Sequence, residues 1–313
     1  MEKKYSCCIS EEEAGHTVKQ VLIYKWKLGT GQIKKAKFRK NGITVNGKQV
    51  TVRYRLEQGD HLEILLEDRN QSSSHLIPVN GNLHILYEDE DILVVEKPAG
   101  IVCHPSAGHY CDSMANLLMG YFVEKGEGYV VRLAGRLDKG TSGLLLYTKH
   151  APALTQLEKQ RADGRMKKIY YALLTGCPSV SEADIMEPIG ADPSVPMKQR
   201  VCSSSEGGAE AKTHYRIIGY EENGTFSLAE ITIETGRTHQ IRTHMAWLGH
   251  PLLGDALYGG APILDRPALH ACSLSFIHPV KGTAMEFTCE IPQDMNDYLN
   301  EHKIIRTEVI SKI

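Results

Sequence analysis

Nine consecutive residues, Glu67-Asp68-Arg69-Asn70-Gln71-Ser72-Ser73-Ser74-His75, carry no aliphatic side chain, so nothing in them can anchor to a hydrophobic core. A stretch of this kind divides a chain. It predicts two folding units, residues 1–66 and 76–298, joined by a linker at 67–75 and followed by a short mixed tail at 299–313. The length of 313 residues is consistent with two domains.

Charge separates the two units further. Residues 17–56 hold eleven Lys or Arg and no acid, although the whole chain sits near neutrality at −2. The remainder therefore carries 25 basic against 38 acidic residues. One small segment is built to meet a polyanion. Most lysine runs are ordinary solvated helix faces, but forty residues without an acid argue against that account here.

Within that segment Ile33, Ala36 and Phe38 alternate with Lys34, Lys35, Lys37, Arg39 and Lys40, which predicts a short basic helix. Ile43-Thr44-Val45-Asn46-Gly47-Lys48 follows, a β-rich run turned at Asn-Gly, the strongest short hairpin signal. Gly59-Asp60 then turns into the alternating strand His61–Ile64.

The first residues contain no apolar run of signal-peptide length, and nowhere do eighteen apolar residues follow one another. A cytoplasmic protein without a membrane anchor is expected. The eight cysteines, at 7, 8, 103, 111, 177, 202, 272 and 289, show no Cys-x-x-Cys spacing and are read as reduced thiols.

In the second unit, β-rich runs at 84–87, 92–97, 170–175, 213–218, 226–232 and 285–290 outnumber the helical ones at 114–122 and 153–162. They do not alternate as βαβ units. The expected class is α+β, with a large mixed or antiparallel sheet and flanking helices, beside a small α/β-hairpin unit.

Asp138 stands between Val130-Val131-Arg132-Leu133 and the apolar run Leu144–Tyr147, with Gly140-Thr141-Ser142-Gly143 close behind it. A glycine-flanked loop beside a buried strand can hold a carboxylate rigidly and let a substrate approach. Locally, a turn aspartate is the simpler reading. A second cluster shifts that balance: Gly236-Arg237-Thr238-His239-Gln240-Ile241-Arg242-Thr243-His244, running on to Gly254-Asp255-Ala256-Leu257-Tyr258-Gly259. So many polar groups beside a β-rich run are costly to bury without partners. If Arg237 caps a helix, Thr238 and Arg242 share one face and His239 and Thr243 another. The spacing of His104, His239 and His244 is not that of a zinc helix, so these are read as hydrogen-bonding or RNA-contacting groups, with no metal.

Together, Arg136-Leu137-Asp138-x-x-Thr141-Ser142-Gly143-Leu144 and Gly236-Arg237-Thr238-His239-Gln240-Ile241-Arg242-x-His244 resemble the RluA-type RNA pseudouridine synthases. Lys97-Pro98-Ala99-Gly100 with His104-Pro105, Lys168-Ile169-Tyr170 with Ala172, and Leu269-His270-Ala271 with His278-Pro279 extend the resemblance across residues 83–290. Gly135 departs from it, since the family often has His there. The first unit resembles the S-four RNA-binding domain, which implies a helix laid against folded RNA through Lys34, Lys35, Lys37, Arg39, Lys40 and Lys48.

The resemblance implies a pseudouridine synthase fold and a cofactor-free isomerase that moves the bond to uracil from nitrogen to carbon. Asp138 would be its nucleophile, attacking either the ribose anomeric carbon or carbon 6 of the ring. Arg242 would pair with Asp138, keeping it ionised and oriented; a phosphate clamp is its plainer role. Tyr170 would pack against the target base and assist proton removal from carbon 5, where otherwise a core tyrosine is the default. Arg136 and Arg237 would contact RNA around a flipped nucleotide, and His239 with them. Large-subunit ribosomal RNA is the expected partner ahead of transfer RNA, and the chain is expected to act as a monomer. Two other readings stand beside this one: an RNA-binding scaffold on the same fold, and a glycosidase or nuclease. The latter lacks a second carboxylate, since Asp255, the remaining motif acid, is expected to be structural.

Overall fold

The run Ser142–Thr148 is buried at every position, which requires a strand covered on both faces. The computed structural model, which describes residues 2–26, 28–67, 76–128, 130–302 and 304–306, shows how. Residues 68–75, which hold most of the expected linker, lie outside the described residues.

The amino-terminal unit comprises β1 (Glu2–Cys8), α1 (Val18–Tyr24), α2 (Thr30–Lys37), β2 (Ile43–Val45), β3 (Lys48–Gln49) and β4 (His61–Glu67). Its four strands form a sheet in the order β1-β4-β2-β3. Thr17 caps α1: its hydroxyl accepts from the Gln20 amide at 3.3 Å, and Gln20 reaches back to the Thr17 amide at 2.7 Å. Asn46 and Gly47, at φ 51° and 76°, make the hairpin turn that the Asn-Gly pair predicts. Val18, Leu22, Ile33, Ala36, Ile43 and Ile64 pack into this unit's own core. Each such buried Val, Leu or Ile contributes about 1.5–3 kcal/mol.

The second unit runs β5 (His84–Glu88), β6 (Ile92–Lys97), α3 (Met114–Glu124), β7 (Arg132–Leu133), β8 (Ser142–Thr148), α4 (Ala151–Ala162), β9 (Lys167–Thr175), β10 (Glu182–Ile185), β11 (Ile189–Ala191) and β12 (Gln199–Val201). Then come β13 (Thr213–Glu221), β14 (Phe226–Ile233), α5 (Gln240–Trp247), β15 (Leu269–Ile277), β16 (Ala284–Thr288), α6 (Gln293–Glu301) and β17 (Ile304–Arg306). One sheet takes the order β10-β13-β14-β9-β15-β8-β6-β5, with β16, β17 and β7 paired to β15, β13 and β8. Strands β11 and β12 form a separate hairpin. Residues 299–301 complete α6 and β17 joins the sheet, so ordered structure continues past the boundary expected at 298.

The large sheet is mixed, because β8 and β15 run parallel while the other pairs are antiparallel. Its two faces follow the two-residue period of the strands. Leu93, Val95, Leu145 and Tyr147 face Met114, Leu118 and Phe122 of α3, whereas Val94, Leu144 and Leu146 face Leu157 of α4. At the parallel pair the backbones come close. A Cβ on Gly143, at φ 112°, would sit 2.3 Å from the Ala271 carbonyl oxygen, so only glycine fits.

Candidate active site

Asp138 lies on the loop between β7 and β8, where two buried groups, one in the β6–α3 connection and one at the end of β6, hold the backbone. The Cys103 thiol meets both the carbonyl and the amide of Leu137, at 3.1 and 3.3 Å. Lys97, fully buried at the end of β6, donates to the carbonyls of Pro98, Ile101 and Lys139 at 2.8, 2.8 and 3.1 Å. Burial pushes its ammonium down to about 8, with attraction from Cys103 and Asp138 opposing the shift. The two residues flanking Asp138 are therefore tied to a neighbouring loop, and the amide of Thr141 closes the turn onto the Asp138 carbonyl at 3.1 Å.

Arg242 comes from α5. Its Nε and Nη2 donate to the two carboxylate oxygens of Asp255 at 2.7 and 2.8 Å, and its Nη1 lies 3.6 Å from Asp138 Oδ2. Asp255 is 1% exposed, so this two-pronged pair is shielded from water. Burial opposes the charge on Arg242, but Asp255, and then Asp138, raise its pKa overall. The expected contact with Asp138 is present, and Asp255 is the firmer partner.

The helix begins two residues later than Arg237 would place it. His239 is the N-cap, in left-handed backbone at φ 54°, and Thr238 precedes the helix, so the expected face shared by Thr238 and Arg242 does not form. Such a conformation costs a non-glycine residue roughly 1–3 kcal/mol. It brings His239 Nε2 to 4.0 Å from Asp138 Oδ2. Burial lowers the His239 pKa, Asp138 acts against that shift, and Arg242 adds to it. Gln240 fastens the loop: its carbonyl oxygen accepts from the Arg237 amide and the Thr235 hydroxyl, and its amide donates to the Lys212 carbonyl.

Tyr170, on β9 between Ala271 of β15 and Ile231 of β14, is 5% exposed. Burial, then Asp138, push its hydroxyl well above the usual range. Asp138, Tyr170, Arg242, Arg136, Arg237 and His239 all line one pocket. The Arg136 guanidinium donates to the Thr238 hydroxyl across its rim, and Arg237 Nε donates to the Glu210 carbonyl at 2.8 Å. A groove of about 820 Å³ adjoins the pocket through Arg136 and Tyr170, with His104, Arg161 and Lys168 along it. His244 is fully buried and spans Thr213 Oγ1 and the Glu187 carbonyl, so it supports the fold and does not reach solvent.

Lys34, Lys35, Lys37, Lys40 and Lys48 are exposed on the amino-terminal unit, with Arg39 half-buried, and none of them lines the pocket. Tyr258 was visible in the sequence only as part of a motif. In the structure its hydroxyl meets His239 Nδ1 at 3.2 Å, Thr243 Oγ1 at 3.1 Å and the Gln199 amide at 2.9 Å. Only the Gly-Asp-x-x-Tyr spacing hinted at this, because residues 255 and 258 lie one turn apart and converge on Arg242.

Comparison with known proteins follows the same residues. A family model described as RNA pseudouridylate synthase matches residues 91–247. The chain is 39% identical over 256 residues to the uncharacterized RNA pseudouridine synthase YhcT of Bacillus subtilis (strain 168), covering 82% of this chain and 83% of the relative. It is 42% identical over 236 residues to ribosomal large subunit pseudouridine synthase D of Zymomonas mobilis, covering 71% and 73%. Among solved structures, human RNA pseudouridylate synthase domain containing 1 aligns with a TM-score of 0.55 at 27% identity, over 67% of this chain and 83% of that one.

Proposed function

We propose, from the premise that this chain belongs to the RNA pseudouridylate synthase family, that Asp138 is the nucleophile with which it isomerises uridine in RNA. The enzyme is an isomerase, and its substrate is RNA. What carries the assignment of Asp138 is its placement: a carboxylate on a loop fixed on both sides, in a pocket with Tyr170, within 3.6 Å of a buried arginine held by a different acid.

In this reading Arg242 orients Asp138 and stabilises its negative charge before the substrate arrives. Asp255 keeps the guanidinium in place, which leaves Asp138 as the acid free to attack among the described residues that line the pocket and disfavours a two-carboxylate hydrolase. Tyr170 stays a neutral phenol in the resting enzyme and packs against the base. Arg136 and Arg237, at the rim, meet the RNA around a nucleotide turned out of its stack.

The amino-terminal unit, with its basic α2 and Asn-Gly hairpin, acts as an S-four-like RNA-binding module. Large-subunit ribosomal RNA is the proposed target. Support comes from the relatives whose names specify that subunit, from Zymomonas mobilis and Yersinia pestis. Two measurements test this. Tritium release from carbon-5-labelled uridine in ribosomal RNA should be lost in Asp138→Asn, and release at the wild-type rate would remove Asp138 from its role. Carbodiimide mapping should show a pseudouridine missing from the large-subunit RNA of cells lacking the protein; an unchanged map would reject the target.

A further inference from the structure

The Tyr258 hydroxyl sits at the meeting point of three elements: the β11–β12 hairpin through Gln199, helix α5 through Thr243, and the cap of that helix through His239. A phenol oxygen has one proton to give and two lone pairs to fill. The Gln199 amide can only donate, so it takes one lone pair. Two arrangements of the rest are neutral. In the first, Thr243 donates to the other lone pair and the phenol proton goes to His239 Nδ1. In the second, the phenol gives its proton to Thr243, and the imidazole donates from Nδ1.

The far side of the ring decides between them. His239 Nε2 faces Asp138 Oδ2 at 4.0 Å. The second arrangement points a bare nitrogen lone pair at a carboxylate; the first points an N–H at it. A doubly protonated ring is opposed by burial and by two guanidiniums, Arg242 and Arg136, with Asp138 and Asp255 as the acids facing it. On the Tyr258 side of the cluster, Arg242 and Lys198 lie over the phenol ring at 5.0 and 5.5 Å.

We infer that Tyr258 fixes His239 as the neutral Nε2–H tautomer, so that His239 and Arg242 together hold Asp138 Oδ2 and leave Oδ1 as the attacking atom. Both groups make their nearest approach to Oδ2, at 4.0 and 3.6 Å. Tyr258 is thus a positioning residue that acts through His239. The inference rests on Asp138 as nucleophile for its meaning, but not for its geometry. The left-handed backbone at residue 239 fits it, because glycine would be free of strain there and the chain keeps an imidazole instead.

The test is nitrogen-15 NMR of the full-length protein labelled at histidine, with the His239 signal identified by its disappearance in His239→Gln. The expected wild-type spectrum at pH 7.5 shows a protonated Nε2 and an unprotonated Nδ1. Tyr258→Phe should lose that preference and lower kcat about five- to tenfold, the scale of one hydrogen bond, with KM little changed. His239→Gln, whose amide reaches the Nε2 position, should keep more activity than His239→Asn, although asparagine tolerates left-handed backbone better. A wild-type Nδ1–H or imidazolium signal, an unchanged tautomer in Tyr258→Phe, or an asparagine variant as active as glutamine would each overturn the inference. Failure of the nucleophile reading would show separately, as tritium release surviving in Asp138→Asn while the tautomer stays as stated.

Discussion

Arg242 is gripped along one edge by Asp255, at 2.7 and 2.8 Å, and reaches Asp138 only with its remaining nitrogen, at 3.6 Å. Removing one partner of a buried pair leaves the other charge without compensation, at about 3–5 kcal/mol. Asp255→Ala should therefore lower the melting temperature and reduce tritium release at least about tenfold, although Asp138 is untouched. Wild-type kinetics in a folded Asp255→Ala protein would show that Arg242 needs no second acid.

Arg242→Lys separates charge from shape. Lysine keeps the positive charge but cannot bridge two carboxylates through fixed, forked donors. We expect kcat to fall at least about tenfold with RNA affinity unchanged, measured by single-turnover kinetics and filter binding. A selective loss of affinity would instead mark Arg242 as a phosphate clamp.

The basic face of α2 predicts a salt effect. Replacing Lys34, Lys35 and Lys37 together by Ala should weaken binding to ribosomal RNA and reduce the slope of log affinity against log salt by roughly 2, at under one unit per lost phosphate contact. Turnover at saturating RNA should stay the same. An unaltered slope would make these lysines a solvated surface.

Stability should depend on pH through His270, fully buried between Ser142 Oγ and the Cys289 thiol, at 2.9 and 3.1 Å. Burial, chiefly, pushes it down to about 4. A depressed folded pKa means the unfolded chain takes up the proton first as pH falls. Its contribution is therefore full above about pH 6.5 and is lost between there and about 4, on the order of 3 kcal/mol in all. Thermal melts of His270→Gln against the parent should show a shallower decline over that interval; parallel curves would remove His270 as the cause.

How much of this could be read from the chain depends on the range of each interaction. The hairpin at Asn46-Gly47 and the apolar run Leu144–Tyr147 are local patterns, and each is legible in a few neighbouring residues. Asp138 by itself read as a turn residue. Only its pairing in sequence with the distant Arg237–His244 cluster suggested a site, and the pocket holds both. The hold of Asp255 on Arg242 was missed because a motif acid gives no sign of which guanidinium it faces. Likewise, the start of α5 lies two residues later than expected because His239 caps it from a left-handed conformation that few non-glycine residues adopt.

The parallel pairing of β8 with β15 also sets an order of events during synthesis. Ser142 finds its partner His270 only 128 residues further along, so the strand behind the Asp138 loop has an open edge while that stretch is being made. At about 5–20 residues per second, a ribosome needs on the order of ten seconds to supply it. Until then the sheet that backs the pocket is incomplete, and a nascent chain that has already folded its basic amino-terminal unit would carry Asp138 on a loop with only part of its pocket behind it.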